Sequence, residues 1–246
     1  MKALKSRPLF FHQYVLTFLG LYISSHSALA IEMEAGQEKS KDLIIIGASY
    51  ARDWPLKSLE CVTVINKGIN ADQVVNTRKR FTADVVNQHP EAVIIWGFIN
   101  DLHANPKENI EQTVQNIKSS IEGMVDEAMA NGIVPVLATE VTIAESQSLK
   151  WKVMAWIGKL RGKQSYQSYI NGNVMKINEW IRELAGKKGL LLIDLEKILT
   201  NEQGNRIEGY AQDDGSHITR FAYDAITRYA KPLLIKDLVA KNNICL

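Results

Sequence analysis

The sequence predicts an α/β fold built on a parallel sheet that is buried on both faces. Three observations carry that prediction. Short, almost wholly apolar runs recur along the chain: LIII (43–46), VTVI (62–65), AVIIWGF (92–98), VPVLATEV (134–141) and LLLID (190–194). Stretches with helical periodicity separate them. The runs also lack the apolar–polar alternation of half-exposed strands, so helices must cover both sides.

The elements follow in order. Residues 1–30 begin with Lys2, Lys5 and Arg7, continue through an apolar stretch and end in Ala28-Leu29-Ala30. This is the pattern of a secretory signal cut after Ala30. The alternative is an uncleaved membrane anchor. Residues 31–41 read as a polar linker, and 42–246 as one domain. After the first two strands, 71–89 places Val74, Val75, Phe81, Val85 and Val86 at helical spacing. The third strand is opened by Pro90. Residues 106–132 form an amphipathic helix with Pro at its start and Asn-Gly at its end. After the fourth strand, 175–189 reads as a helix stopped by Gly189, then comes the fifth strand. Residues 200–217 form a long polar loop, and 218–241 a last helix, kinked or broken at Pro232.

Composition is ordinary for a globular protein, with 46% apolar and 23% charged residues. The chain has 29 Lys+Arg against 27 Asp+Glu. Cleavage after Ala30 removes three of the cations, so the mature chain carries 26 against 27, a net charge of −1. That balance does not point to nucleic acid or another polyanion. Cys61 and Cys245 either pair or stand as separate thiols. No His/Cys/Asp cluster has metal-ligand spacing, and no phosphate loop or dinucleotide fingerprint is present, so neither metal nor cofactor is expected.

In a parallel sheet the reactive crevice lies outside the carboxyl ends of the strands. Ser49 follows the first strand in GASY, Gly68 the second and Asn100 the third. Asp214 and His217 lie in the loop after the fifth. A serine hydroxyl needs a base, and histidine is the natural one. Of the three histidines beyond residue 30, His89 reads as a cap or a surface residue, His103 as a surface residue or a substrate contact, and His217 as the base. Asp214, three residues before His217, can fold back onto the imidazole and fix its tautomer; Asp213 is its rival. Gly68, Asn100 and the amide of Ser49 can supply oxyanion donors.

Taken together, these blocks resemble the SGNH hydrolases, the GDSL-type esterases and lipases. GASY stands where that family has GDS(L). Gly68 matches the second block, Asn100 in FIND the third, and Asp214-Gly-Ser-His217 the last. The resemblance spans about residues 42–240. It implies a three-layer α/β/α, flavodoxin-like fold with five parallel strands. It also implies Ser49 as nucleophile, His217 as general base and acid, Asp214 as its orienter, and an oxyanion hole of Ser49, Gly68 and Asn100. Three positions depart from the pattern: Ala48 replaces the acid of GDS, Phe98 stands where the third block has Gly, and Ala71 replaces a second Gly. The α/β-hydrolase elbow is a competing match, but it needs several strands before its serine.

Tyr50, Trp96, Phe98 and His103 are the candidate substrate contacts. Residues 145–173 form an insertion after the fourth strand. Within it, 149–163 interleaves Lys and Arg with Trp, Met and Leu, as a membrane-surface helix or lid does; a helix packed on the sheet is the alternative. The expected function is an exported, periplasmic or secreted, serine ester hydrolase acting on lipid or short-chain acyl esters. The alternatives are an O-acetylesterase or O-acyltransferase acting on glycan, and an inactive binding domain of the same fold.

Overall fold

The computed structural model describes residues 40–144 and 165–240. At its centre lies β1 (Ser40–Gly47), with Leu43 to Ile46 all fully buried. It pairs in parallel with β3 (Val62–Gly68) on one side and β4 (Pro90–Trp96) on the other. β5 (Val134–Ala138) and β6 (Leu191–Ile193) continue the parallel sheet outward from β4. A sixth strand, β2 (Ser58–Leu59), runs antiparallel along the outer edge of β3. The order is β2-β3-β1-β4-β5-β6. Five parallel strands are thus as expected, and the sheet is mixed only through β2. Two residues are too short to leave a periodicity in the sequence, and Leu59 is the one that is buried.

The helices depart more from their expected bounds, and the reasons are local. α1 (Ser49–Asp53) is a single turn after β1. α2 (Val74–Asp84) starts three residues later than predicted, because the Asp101 carboxylate, 27 residues away in the chain, accepts the amide of Val74 at 2.9 Å. It stops at Asp84, and a 3-10 turn, Val86–Gln88, leads to a left-handed His89 ahead of Pro90. α3 (Ile99–Ala104) is a short helix in a stretch to which the sequence reading assigned no element. α4 (Ile110–Ala130) buries Ile117, Ile121, Met124, Val125 and Ala128.

α5 (Tyr166–Lys188) begins nine residues before the predicted start at 175. Buried Asn171 interrupts the apolar stripe of its first turns and hides that start from a hydrophobic reading, and Asn178, also buried, lies within the predicted span. Their amides hold the chain that leaves β5. Asn178 exchanges two hydrogen bonds with the backbone of Glu140, and Asn171 does the same with Ile143. α6 (Leu195–Leu199) follows β6, and α7 (Arg220–Leu234) is capped by Thr219. Pro232 lies inside α7 and removes one ladder amide; the chain continues from Leu234 as a π turn, Ile235–Ala240.

Cys61 is exposed at the turn between β2 and β3 and is disulfide-bonded. Cys245, residues 1–39 with the expected signal and most of the expected linker, and the basic run 149–163 lie outside the described residues.

The carboxyl end of β1 has no room for a side chain at Gly47. Gly47 has φ +153°, and a Cβ there would lie 1.7 Å from the carbonyl oxygen of Trp96. The backbone of β4 itself would have to move to admit a methyl group. Gly47→Ala should therefore lower unfolding free energy by more than ~3 kcal/mol. Urea unfolding checks this; a loss below ~1 kcal/mol would mean that β1 and β4 separate easily.

Candidate active site

Ser49 is the first residue of α1 and is 7% exposed. α1 lies hard against the end of β3: a Cβ on Gly68 would meet the backbone of Arg52 at 2.2 Å. Asn66 fills the join. Its Nδ2 donates to the carbonyl of Ala51 at 2.7 Å, and its Oδ1 accepts the amide of Gly68 at 2.9 Å. This corrects the expectation for Gly68. Its amide is already committed to Asn66, and the glycine is explained by the close approach of α1.

The free amide lies three residues further on. Ala71 holds the left-handed conformation, φ +56°, at the position where the second block has its other glycine. Among the described residues its amide donates to nothing. Asn100 reaches the same turn, donating Nδ2 to the carbonyl of Asp72 at 2.9 Å. Arg80 fixes the turn from below. It pairs with Asp72 and Asp84, at 3.0 and 2.7 Å, and donates to the carbonyls of Lys67 and Gly47.

Two buried acids hold the third-block turn. Asp101 accepts Val74 as described. Glu140, 0% exposed, accepts the amides of Phe98 and Ile99 through one oxygen and that of Val141 through the other. Burial pushes the pKa of Glu140 up, against its backbone hydrogen bonds and the charge of Arg206. Burial likewise raises Asp101, to about 7, with Asp72 and Glu140 adding to the rise.

The last block is a compact turn. Asp214 Oδ2 lies 2.6 Å from His217 Nδ1, while Oδ1 accepts the amides of Ser216 and His217, each at 2.9 Å. Burial raises the Asp214 carboxyl, but the His217 ring and these two amides outweigh it and leave it below the ordinary carboxylate range. Asp214, not Asp213, is the partner of the ring. The turn is tied to the serine helix, since Tyr50 donates its hydroxyl to the carbonyl of Ser216 at 2.6 Å. The rings of Tyr50 and His217 stand edge to face, 6.3 Å apart. Ala144 donates to the carbonyl of Gly215, and buried Arg206 donates to those of Ser216 and His217. Neither Ser49 Oγ nor His217 Nε2 has a hydrogen-bond partner among the described residues.

The candidate substrate contacts fare unequally. Trp96 and Phe98 are each 1% exposed and belong to the core beneath the turns, where their size fills space between helix and sheet. Tyr50 is buried too, and its hydroxyl is engaged as described. His103 is partly exposed on α3 and stacks on Tyr166, with its Nδ1 bonded to the Tyr166 hydroxyl. Burial lowers its pKa. Lys107 lies over the ring of Tyr169, 4.3 Å from its centre.

A model of the GDSL-like lipase/acylhydrolase family matches residues 47–225. The chain belongs to this family. A GDSL-like lipase from Bacteroides thetaiotaomicron shares the fold with a TM-score of 0.61 at 20% identity, covering 80% of this chain and 89% of its own. A lipase/acylhydrolase from Enterococcus faecalis gives 0.56 at 20% identity, over 81% and 96%. A variant of an acetyl xylan esterase from Geobacillus stearothermophilus gives 0.58 at 15%, over 80% and 95%. In sequence, the uncharacterized lipoprotein YqeF of Bacillus subtilis is 22% identical over 181 residues, 66% of this chain and 71% of its own.

Within this GDSL-family site, sequence reading missed Asn66, Arg80, Glu140 and Arg206. Each is a polar residue whose place is set by partners distant in the chain. Ala71 carried a signal, since it replaces a glycine of the second block.

The raised Asp101 carboxyl has a consequence for stability. Unfolded, it titrates near 3.9. Between there and about 7 the folded chain holds a proton that the unfolded chain has lost, so stability falls as pH rises through that window and levels off above it. Asp101→Asn removes this group while keeping an oxygen for the Val74 amide. The fall in unfolding free energy between pH 4 and pH 8 should then shrink by up to ~4 kcal/mol. Urea unfolding across that range checks it; an unchanged slope would mean that Asp101 is ionised throughout.

Proposed function

We propose that the protein is an exported serine ester hydrolase in which Ser49 attacks the acyl carbonyl, with His217 as general base and acid and Asp214 as its orienter. The observation that carries this reading is the Asp214–His217 pair, 2.6 Å apart on a turn bonded to the residue after Ser49. His217 Nε2 takes the Ser49 proton as Oγ adds to the carbonyl, then returns it to the departing alkoxide. Water enters by the same base and releases the acid from the acyl-enzyme. The resting enzyme has no Ser49–His217 hydrogen bond, and such contacts commonly tighten only with substrate bound.

For the oxyanion, the reading takes the amide of Ser49, Asn100 Nδ2 and the amide of Ala71. Ala71 stands here in place of Gly68, because its amide is unbonded and Asn100 reaches the adjoining residue. Export is supported by the signal-like residues 1–30 and by the lipoprotein name of the Bacillus relative. Residues 42–246 then form the hydrolase domain, and 149–163 would meet the membrane surface or cover the acyl group.

An acetylated glycan is the second reading of the substrate. Tyr166 is 51% exposed beside His103 and Lys107, a platform on which a sugar ring can stack. The acetyl xylan esterase among the structural neighbours acts, as its name says, on such a substrate.

Hydrolysis of p-nitrophenyl esters from acetate to palmitate tests the mechanism and the acyl preference together. Ser49→Ala should lower kcat by more than ~10³-fold. Asn100→Ala should lower it by ~10²–10³-fold with little change in KM. A short-chain optimum favours the acetyl reading and a long-chain optimum the lipid one. Full activity in Ser49→Ala would overturn the serine mechanism.

A further inference from the structure

We propose that Arg206, acting with Tyr50, is a positioning residue that sets the His217 turn against the Ser49 helix; this rests on the serine-hydrolase reading above. Arg206 is 5% exposed and forms no ion pair among the described residues. A buried guanidinium without a carboxylate is expensive to keep, so its other contacts must be what it is for.

Those contacts converge on the site. Nη1 donates to the carbonyls of Ser216 and His217, at 2.8 and 3.3 Å. Nη2 faces the Tyr50 hydroxyl at 3.4 Å, and the guanidinium lies 5.8 Å from the centre of the Tyr50 ring. Tyr50 follows Ser49 in the chain and donates to the Ser216 carbonyl that Arg206 also holds. The Arg206 charge is also felt at Glu140, whose carboxylate carries the Phe98 and Ile99 amides just ahead of Asn100. One buried cation therefore lies among the turns that present Ser49, Asn100 and His217. It touches no reacting atom. It fixes where the imidazole stands.

The test uses residues 31–246 of wild type, Arg206→Met, Arg206→Lys, Tyr50→Phe and Ser49→Ala. The first readout is kcat and KM on p-nitrophenyl acetate. Arg206→Met should lose ~10²-fold in kcat with KM within about 2-fold, as a displacement near 1 Å does. Arg206→Lys should recover part of that loss, because an ammonium can still reach the carbonyls. Tyr50→Phe keeps the packing and should fall in the same direction, which covers the case in which Arg206→Met does not fold. A KM effect alone, or full kcat in a less stable Arg206→Met or Tyr50→Phe, would overturn the proposal in favour of a purely structural role.

The second readout does not need activity. The imidazole 15N shifts of His217 report whether Nδ1 keeps its proton toward Asp214. They should change in Arg206→Met and Tyr50→Phe and stay as wild type in Arg206→Lys and Ser49→Ala. Unchanged shifts in Arg206→Met and Tyr50→Phe would overturn the proposal. Wild-type shifts that respond as stated in a protein without esterase activity would overturn the hydrolase reading and leave the positioning role standing.

Discussion

The backbone that leaves the sheet at the carboxyl ends of β1, β3 and β4 is the constraint on which the rest of the molecule depends. There the chain loses its ladder partners while still inside the protein. A buried amide or carbonyl without a partner is costly, so side chains must take over from the ladder. They do so in each turn. Asn66 serves Ala51 and Gly68, Glu140 serves Phe98, Ile99 and Val141, and Asn178 and Asn171 serve Glu140 and Ile143. Arg206 serves Ser216 and His217. Side chains thus satisfy backbone groups in each of the reactive turns.

This solution places charge where burial opposes it. Asp101 and Glu140 both have raised pKa values for that reason, and each is compensated by amides that point at it. Two arginines carry opposing charge for acids of these turns. Arg80 does it through ion pairs with Asp72 and Asp84, and Arg206 does it at a distance from Glu140. A network of this kind fixes one arrangement only when its members are satisfied. Among the described residues, Arg206 Nε is one of four buried side-chain polar atoms without a partner, so this member of the network is not fully satisfied.

What the sequence disclosed follows from the range of the interactions involved. The parallel strands were legible because burial on both faces writes itself as a continuous apolar run, as in Leu43 to Ile46. β2 was not, being two residues paired to a neighbour. The start of α2 was set by Asp101, a cap from another block, which no local pattern shows. The start of α5 was hidden by Asn171, which reads as a break in an apolar stripe but holds the backbone of Ile143. In the candidate site, the Asp214–His217 pair was legible from its short spacing, and the places of Ser49 and Asn100 just after strands from the apolar runs before them. Glu140 and Arg206 were not: Glu140 reads as the polar end of the fourth apolar run and Arg206 as a solvated charge in the loop 200–217, until their burial is known.

Gly68 and Ala71 illustrate a different limit. A glycine after a strand has two physical explanations, a bare amide offered to a ligand or a missing Cβ that admits a neighbour. Sequence cannot separate them. Here the neighbour wins, because Arg52 occupies the space where the Cβ of Gly68 would stand. Ala71 makes the complementary point. A left-handed alanine costs about 1–2 kcal/mol relative to glycine, and the turn tolerates it because Asn100, Asp72 and Arg80 hold it from three directions. An amide is offered equally well by either residue. Replacing glycine by alanine at this turn therefore changes the stability of the loop and the room beside it, while leaving the donor that the chemistry would use.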